Sequence, residues 1–404
     1  MQVEKDLYLV NREKIIKSIT SRSVIVDFFP KEMDIEITSY CNYRCTMCPH
    51  SLLGNHCAKN MSFEQIKKLQ GLFPYCKRVM IQGDGEPLMH PDFIEISNFI
   101  SGFGCRLCTT TNLSLLSEET AHVLAEQYEL VTVSCDAGNK SLYETIRAKG
   151  DFEKFSNNLQ LLMSFADPNR IVVNAVVMRQ NIDSLDELLR YLSDYGIKKV
   201  VFNNLLTTEH LKNVSDSISS LGTYAVDQLV NSEKTARDLG IELVINWDYK
   251  SMIITKDKPL DEVIVHRRFS QDEITAFINE YKELRTIDKN QTIYSGKYHC
   301  YGICKNLYEK VYVDVHGNMT FCCYSKMRPI ANIFEEEFES IWNGPIYQSC
   351  RKAFFSGNLP NFCIGCRYAM AANKYDVQEY TFKISGIDKN FADDNIFWEN
   401  RKSK

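Results

Sequence analysis

The sequence lacks any apolar run long enough to span a bilayer. Its charged, amphipathic N-terminus has neither the hydrophobic core nor the cleavage site of a signal peptide. Glycine and proline are sparse, at 18 and 10 of 404 residues, which argues against extended disorder. An excess of positive charge is also missing, because the net charge is −5. These absences predict a cytoplasmic, globular protein with no membrane partner and no nucleic-acid partner held by a basic field.

Cysteine, by contrast, is abundant and unevenly placed. The chain has 15 cysteines, three of them between Cys41 and Cys48 and seven between Cys300 and Cys366, while residues 136–299 contain none. In a reducing compartment such cysteines do not form a disulfide framework. Metal or redox chemistry is the better explanation of this clustering.

The first cysteine cluster has the spacing C-x3-C-x2-C. Cys41, Cys45 and Cys48 follow an alternating run at 34–38 that predicts a strand. Iron–sulfur clusters normally take four thiolates, so three leave one iron of a [4Fe–4S] cluster open. S-adenosylmethionine (SAM) needs an open iron to chelate the metal through its amino and carboxylate groups. Part of a zinc site and ordinary buried thiols are the alternatives. At this spacing the loop resembles the cluster loop of the radical SAM superfamily.

Strand and helix patterns alternate after this loop, which predicts an α/β fold with a parallel sheet and right-handed crossovers. The predicted strands are Asp34–Thr38, Arg78–Gln82, Arg106–Thr110, Leu130–Cys135, Ile171–Val177, Lys199–Asn203 and Ile241–Ile245. Ser62 and Gln65 have the spacing of a capping box, and Ser117 is expected to cap a second helix. About six such units suit a partial (β/α)6 barrel, the fold that the resemblance also implies. Functional loops of such a barrel lie at the carboxyl ends of its strands. The predicted segments are an N-terminal lead-in (1–32), the partial barrel (33–246), a linker or cap (247–299), a cysteine-rich β-hairpin plus helix (300–370) and a tail (371–404).

Polar segments follow the next predicted strands. Gly83-Asp84-Gly85-Glu86 resembles the family's GGEP segment, with Asp84 in place of the first paired glycine. The resemblance implies backbone contacts from Gly83 to Gly85 with SAM, and Glu86 as a further contact. Asn112 ends the third strand, where the family often has Thr-Asn-Gly, and either faces the cofactor or caps a turn.

Three further positions complete the expected SAM site. Ser134 and Asp136, two apart, are expected on one face, where both could hold ribose hydroxyls. Arg147 resembles the family's arginine that approaches the SAM carboxylate, and a surface salt bridge is its alternative. Asn174 is polar within an apolar strand, so it faces SAM or substrate or satisfies a buried backbone group.

The C-terminal cysteines resemble the SPASM and shorter "twitch" extensions of radical SAM enzymes. A hairpin is predicted with its turn at Gly317-Asn318, and a helix over Phe338–Phe354 precedes a C-x2-C pair. The resemblance implies one auxiliary [4Fe–4S] cluster, held by Cys304, Cys322, Cys363 and Cys366; a zinc ribbon is the alternative.

The remaining thiols are assigned to packing or left open. Cys323 adjoins a proposed ligand and is either a hydrogen-atom donor or a packed thiol, of which we favour packing. Cys300 stands too far from Gly317 for the family's spacing, and Cys350 lies on the predicted helix, so whether either replaces a ligand is open. Cys105 and Cys108 form a C-x2-C on a predicted strand, where residues three apart face opposite sides, which indicates core thiols.

The resemblance implies reductive cleavage of SAM to a 5′-deoxyadenosyl radical that abstracts hydrogen from an unactivated carbon. A fully ligated auxiliary cluster suits acceptance of the substrate's electron, which favours oxidation or epimerisation of a sugar, cyclitol or similar small molecule. The alternative is modification of a ribosomally made peptide; no separate peptide-recognition domain fits in the 32 residues before the barrel. A non-catalytic metal scaffold is the third hypothesis. A flavodoxin- or ferredoxin-type protein is the expected electron donor.

Overall fold

The computed structural model describes residues 7–53, 58–205, 214–247, 249, 306–321 and 329–356. The chain divides into two compact units. The barrel unit comprises Ile35–Ile66 and Met80–Gln271, and the terminal unit comprises Met1–Asp34, Lys67–Val79 and Asp272–Lys404. The lead-in of the sequence therefore belongs to the same unit as the C-terminal segment.

The strands of the described residues, in chain order, are β1 (Glu32–Ile35), β2 (Arg44–Cys45), β3 (Arg78–Ile81), β4 (Arg106–Thr111), β5 (Tyr128–Ser134), β6 (Arg147–Ala148), β7 (Ile171–Val177), β8 (Lys199–Asn204), β9 (Glu242–Ile245), β10 (Lys310–Val313), β11 (Asn318–Thr320) and β12 (Ala331–Asn332). The helices are α1 (Leu7–Thr20), α2 (Pro49–Leu53), α3 (Phe63–Lys68), α4 (Phe93–Ser101), α5 (Glu118–Gln127), α6 (Lys140–Ile146), α7 (Phe152–Phe165), α8 (Leu185–Asp194), α9 (Thr223–Asp238), α10 (Asn306–Glu309), α11 (Phe338–Trp342) and α12 (Pro345–Ser356).

The barrel unit has the α/β alternation that the sequence predicts. Its strands run in the order β3-β4-β5-β7-β8-β9, and each of the four pairs from β4 to β9 is parallel. Helices α5, α7, α8 and α9 connect successive strands. Because the strands are parallel, their carboxyl ends lie at one edge of the sheet, where the loops of the site are expected.

The two faces of this sheet differ in polarity. On β7, Val173 and Ala175 are fully buried, whereas Asn174 and Val176 are half-buried. The same alternation continues on β8, where Phe202 is fully buried and Asn203 is half-buried. Since successive side chains point to opposite faces, one face packs in the core and the other, the inner face, remains partly accessible.

Helix starts follow capping chemistry. Ser62 and Gln65 form the predicted capping box, with the Ser62 N–H donating to Gln65 Oε1 at 2.9 Å and the Gln65 N–H donating to Ser62 Oγ at 3.2 Å. Ser117 accepts from the Thr120 N–H at 3.1 Å, as expected. Helix α6 begins after Asn139, whose Oδ1 accepts from the Leu142 N–H at 2.9 Å.

In the terminal unit, β10 and β11 form the predicted antiparallel hairpin. Gly317 at its turn has φ +86°, and Asp314 Oδ1 accepts from the Asn318 N–H at 2.9 Å. The single helix predicted over Phe338–Phe354 is wrong, because α11 ends before Asn343 and α12 starts at Pro345. Proline suits the first position of a new helix, so Pro345 starts α12. Between the two helices, Asn343 Oδ1 accepts from the Val26 N–H at 2.9 Å, and Asn343 Nδ2 donates to the Val26 carbonyl at 2.8 Å.

Candidate functional site: a cysteine loop above the barrel strands

Cys41, Cys45 and Cys48 lie on the loop after β1, and all three are half-buried. Burial is the first cause that raises the pKa of each thiol, to about 12 for Cys45. The negative charge of a neighbouring cysteine in this set also raises the pKa of Cys41 and the pKa of Cys45. The three thiols are therefore close enough to interact. Among the described residues, no group of three or more His, Cys, Asp and Glu side chains is arranged so that it could hold a single metal ion.

The loop is anchored through Met47, one of the two residues between the last two cysteines. Met47 is buried with Ile146, at the end of α6, and with Met178 and Leu205, which follow β7 and β8. The short strand β2 pairs with β6, placing Cys45 opposite Arg147. Apolar packing and backbone pairing therefore hold the thiols over the carboxyl ends of the sheet.

The Gly83–Glu86 segment packs directly against this loop. A Cβ at Gly85 would collide with the carbonyl oxygens of Thr38 and Tyr40, so only glycine fits there. The Glu86 N–H donates to the Tyr40 carbonyl at 2.8 Å. Gly83 lies against the Glu36 side chain, whose carboxylate accepts from the Asp84 N–H at 2.5 Å. Part of the backbone expected to face SAM is thus bonded within the protein, while Gly83 and Asp84 are exposed.

Glu86 is buried, and both of its carboxylate oxygens have protein donors. Oε1 accepts from Thr111 Oγ1 at 2.5 Å and Leu88 N at 3.2 Å, and Oε2 accepts from Asn112 N at 2.6 Å. Burial raises the pKa of Glu86 to about 7, against the effect of these donors. Glu86 therefore ties the loops after β3 and β4 together, and its expected contact with SAM stays a prediction.

Asn112 caps a turn, the second of its two predicted roles. Its Oδ1 accepts from the Ser114 N–H at 2.9 Å, and its Nδ2 donates to Asn42 of the cysteine loop at 3.0 Å. Leu113, at the position of the family's glycine, is fully buried with φ +64°. Leucine rarely adopts this left-handed conformation, so the surrounding contacts enforce it.

Ser134 and Asp136 have different surroundings, although they were expected on one face. The Ser134 side chain is half-buried at the end of β5, beside Asn174 in register. Asp136 is buried beyond the strand; its Oδ1 accepts from the Val176 N–H at 2.7 Å, and its Oδ2 pairs with Arg147 at 2.7 Å. Hydrogen bonding to ribose remains a prediction for both, with Ser134 the more accessible.

Arg147 forms a buried ion pair with Asp136, and its side chain is only 7% exposed. It therefore does not form a surface salt bridge, which was the alternative prediction for this residue. Its Nη1 also lies 4.0 Å from the Cys45 sulfur, and its Nε is buried without a hydrogen-bond partner. The Asp136 carboxylate, with further contributions from Cys45 and other neighbours, raises the pKa of Arg147 despite the opposing effect of burial. Arg147 is therefore a buried cation beside a proposed cluster ligand.

Asn174, Asn203 and Asn246 form a chain of side-chain amides on the inner face, here called the amide strip. Asn203 Nδ2 donates to Asn174 Oδ1 at 3.2 Å, and Asn246 Nδ2 donates to Asn203 Oδ1 at 2.9 Å. All three residues are half-buried. Asn174 thus faces the accessible side of the sheet rather than the core.

Some residues of the site had no signal in the sequence. Asn181 is fully buried, and its Nδ2 donates to the carbonyls of Asp136 and Val176 at 3.0 and 2.9 Å, which fixes the loop after β5. Nothing in its spacing marks it. The sequence could have identified Asn203 as a site residue, because it is a polar residue next to the apolar run of β8, just as Asn174 is a polar residue within the apolar strand β7.

Several predicted residues lie outside the described part of the chain. These are Cys300, Cys304, Cys322, Cys323, Cys363 and Cys366. Among the described thiols, Cys105 and Cys108 are buried, as expected for core positions. Cys350 is also buried, on α12.

The donors present fit a [4Fe–4S] cluster and SAM. Three interacting thiols stand on a loop that glycine packing and apolar contacts hold in place. Arg147, beside Cys45, has a buried Nε without an acceptor, and Ser134 and Asn174 are half-buried neighbours on β5 and β7. Thiolates suit iron, and hydroxyl and amide groups suit a polar ligand such as a nucleoside.

Two families match the sequence. The radical SAM superfamily matches residues 35–192, and the SPASM iron–sulfur cluster-binding domain matches residues 304–367. The second range includes Cys304, Cys322, Cys363 and Cys366. None of the helices that the structure describes combines the length and apolarity needed to cross a membrane.

Individual proteins are similar over parts of the chain. The tungsten-containing aldehyde ferredoxin oxidoreductase cofactor-modifying protein of Pyrococcus furiosus is 31% identical over 195 residues, 46% of this chain and 54% of that protein. The subtilosin biosynthesis protein AlbA of Bacillus subtilis is 22% identical over 83% of this chain and 64% of its own length. The chain thus spans about half to two thirds of these relatives.

A solved structure shares the fold. Streptococcus suis SuiB bound to its precursor peptide SuiA is 17% identical, with a TM-score of 0.56, and the alignment covers 85% of this chain and 71% of SuiB. SuiB has also been solved with S-adenosylmethionine, with a TM-score of 0.57. The chain therefore contains a radical SAM domain over residues 35–192, which binds a [4Fe–4S] cluster and SAM, and a SPASM domain over residues 304–367, which binds auxiliary iron–sulfur clusters.

Proposed function

We propose that this radical SAM enzyme modifies a ribosomally made peptide. The observation that carries the proposal is the amide strip. An extended peptide offers alternating carbonyl and N–H groups, and carboxamide side chains can both accept and donate. Asn174, Asn203 and Asn246 present such groups across neighbouring strands on the accessible face of the sheet.

The comparisons support the same substrate class. AlbA, similar over most of this chain, serves the biosynthesis of a bacteriocin, and SuiB has been solved with a precursor peptide. The small-molecule preference from the sequence depended on the full ligation expected of the auxiliary cluster and on the short lead-in. An electron-accepting auxiliary cluster is equally compatible with oxidation of a peptide, so it does not favour a sugar over a peptide.

The site residues divide the chemistry as follows. Cys41, Cys45 and Cys48 would hold the cluster, which together with bound SAM would supply the radical chemistry that removes a hydrogen atom from the substrate. Ser134 and Asn174 would orient the nucleoside or the adjacent substrate group. The barrel contributes positioning, which accounts for a large part of the rate.

We further propose that the SPASM domain holds one auxiliary [4Fe–4S] cluster through Cys304, Cys322, Cys363 and Cys366. Full ligation suits it to accept an electron rather than to bind substrate. A flavodoxin- or ferredoxin-type protein is proposed to reduce the first cluster.

Oxidation or epimerisation of a sugar or cyclitol is the second candidate. It is favoured by the half-buried Ser134 hydroxyl beside the Asn174 amide, since neutral donors and acceptors at this spacing also suit a polyol.

A deuterium-transfer assay distinguishes the two. The reconstituted, reduced enzyme is given SAM with either a uniformly deuterated peptide digest or deuterated inositol and glucose, and 5′-deoxyadenosine is analysed by mass spectrometry. Deuterium from the peptides alone is expected, whereas deuterium from the polyols alone contradicts the proposal. Asn203→Ala should reduce transfer at least tenfold at low peptide concentration, and the exposed α7 residue variant Asn157→Ala should not.

A further inference from the structure

Arg147 and Asp136 form a buried charge pair at the Cys45 sulfur. Arg147 Nη2 lies 2.7 Å from Asp136 Oδ2, and Nη1 lies 4.0 Å from the Cys45 sulfur. The β2–β6 pairing places Cys45 opposite Arg147, and the Thr46 N–H donates to the Ile146 carbonyl at 2.9 Å. Backbone hydrogen bonds therefore fix the distance between this cation and this thiol.

The carboxylate is held as firmly as the guanidinium. Asp136 Oδ1 accepts from the Val176 N–H at 2.7 Å, and Asn181 Nδ2 donates to the Asp136 carbonyl at 3.0 Å. The exposed fraction of the Asp136 side chain is 0%. Since solvent does not screen the pair, each charge acts strongly on the neighbouring sulfur.

Reduction of an iron–sulfur cluster adds negative charge to the cluster and its sulfur ligands. A nearby cation and N–H donors to sulfur stabilise the reduced form and raise the reduction potential, whereas a nearby anion lowers it. We propose that Arg147 raises, and Asp136 moderates, the reduction potential of the cluster bound at Cys41, Cys45 and Cys48. Both are positioning residues that act on the cluster through the Cys45 sulfur. The inference rests on the proposed function, in which Cys41, Cys45 and Cys48 are the cluster ligands.

This role differs from the contact between Arg147 and the SAM carboxylate that the family resemblance implies. A contact with SAM affects SAM affinity and leaves the potential of the SAM-free cluster unchanged. An effect through the sulfur is present before SAM is added. The two roles are therefore separated by measuring the potential without SAM.

The test is an EPR-monitored redox titration of the full chain, reconstituted anaerobically and titrated without SAM. SAM is added at the end, so that the signal that responds identifies the first cluster. Arg147→Gln should lower the reduced-to-oxidised ratio at a fixed potential at least tenfold, which equals about 59 mV for one electron. Asp136→Asn should raise that ratio by a similar factor, and the double variant should lie between them.

Arg44→Gln is the matched control. Arg44 is an exposed arginine of the same loop, and its guanidinium donates to the Cys41 and Tyr43 carbonyls at 2.7 Å. The substitution removes the same charge from a solvated position, so a ratio change of less than threefold is expected. Arg147→Lys, which keeps the charge, should stay closer to the native potential than Arg147→Gln.

Opposite shifts for the two single variants support the inference, because a loosened structure would move both in one direction. Unchanged potentials in variants that load iron normally, or shifts of the same sign, overturn it. If Arg147→Gln does not load iron, Asp136→Asn and Arg147→Lys decide the matter. A native chain that loads no cluster overturns the proposed function instead, so the two failures are distinguishable.

Discussion

At the scale of single residues, the site depends on side chains that hold loops rather than on exposed groups. Motif spacing placed Glu86, Asn112 and Asp136 on loops at the carboxyl ends of β3, β4 and β5, where the structure has them. It did not show that Glu86 and Asp136 are bonded inside the protein, because partners 25 and 11 residues away depend on the folded geometry. Half-buried Ser134 and Asn174 were predictable, since polar residues in apolar strands stand out.

Leu113 gives a direct test of backbone strain. It is fully buried at φ +64°, a conformation that costs a leucine about 1–2 kcal/mol. Leu113→Ala should destabilise the protein by about 2–5 kcal/mol, because it loses packing and retains the strain. Leu113→Gly removes the strain, so its melting temperature should exceed that of the alanine variant.

Leu124, buried within α5, is the matched control. There the glycine variant should melt below the alanine variant, because glycine costs about 1 kcal/mol in a helix. The same order at both positions would mean that Leu113 is not strained.

Glu86 predicts a pH dependence of stability. Burial raises the pKa of the Glu86 carboxyl from 4.5 to about 7. Between these pH values the Glu86 carboxyl is ionised in the unfolded chain but stays protonated in the folded chain. Its contribution to stability is complete below pH 4.5 and decreases as the pH rises to about 7. The melting temperature of the native chain relative to Glu86→Gln should therefore decrease from pH 5 to pH 7.5. The exposed variant Glu119→Gln should show no such trend, and a flat difference for Glu86→Gln would contradict the assignment.

At the scale of elements, hydrophobic periodicity predicted the barrel strands to within two residues at most ends, because their apolar faces are buried against helices. It failed where long-range contacts decide. The two-residue strands β2 and β6 pair across about one hundred residues and carry no periodic signal. The break between α11 and α12 likewise depends on Asn343 pairing with Val26.

Arg351 on α12 links three segments of the terminal unit. Its guanidinium donates to the carbonyls of Leu307, Val24 and Trp342 at 3.0, 3.1 and 2.9 Å, and lies over the Trp342 ring at 4.7 Å. Arg351→Met keeps the apolar stem but leaves three carbonyl acceptors without this donor, and two of these hydrogen bonds are buried. A loss of about 3 kcal/mol or more is therefore expected.

Hydrogen exchange with mass spectrometry locates this loss. Faster exchange is expected in residues 24–31 and 306–313, with the barrel strands unchanged. Lys352→Met, at the adjacent exposed position, is the control. Uniformly faster exchange across both units would contradict a local role for Arg351.

At the scale of the whole molecule, the fold class and the two cofactor-binding domains were predictable from cysteine spacing and strand–helix alternation. The proposed substrate class was not, because the proposal is carried by side chains that the folded sheet brings together from β7, β8 and the end of β9. The amide strip cannot be recognised in the sequence, because Asn174, Asn203 and Asn246 become neighbours only in the folded sheet.

The seven proposed ligands predict two separable losses. Native enzyme should bind about eight irons and cleave SAM. Cys45→Ala should lose about four irons and all cleavage. Cys363→Ala with Cys366→Ala should lose about four irons and retain cleavage. Iron analysis and 5′-deoxyadenosine yield measure both, and Cys108→Ala, a buried core thiol, should lose neither. Loss of cleavage in the C-terminal double variant would contradict the division.

The neutrality of the amide strip has a consequence for the solution behaviour of the enzyme. Asn174, Asn203 and Asn246 carry no charge, so substrate held there forms no ion pairs that mobile ions can screen. The Michaelis constant of a short core peptide should therefore hardly change between dilute buffer and half-molar salt. Any strong ionic-strength dependence seen with a longer precursor would then report a second, charged contact elsewhere on the molecule.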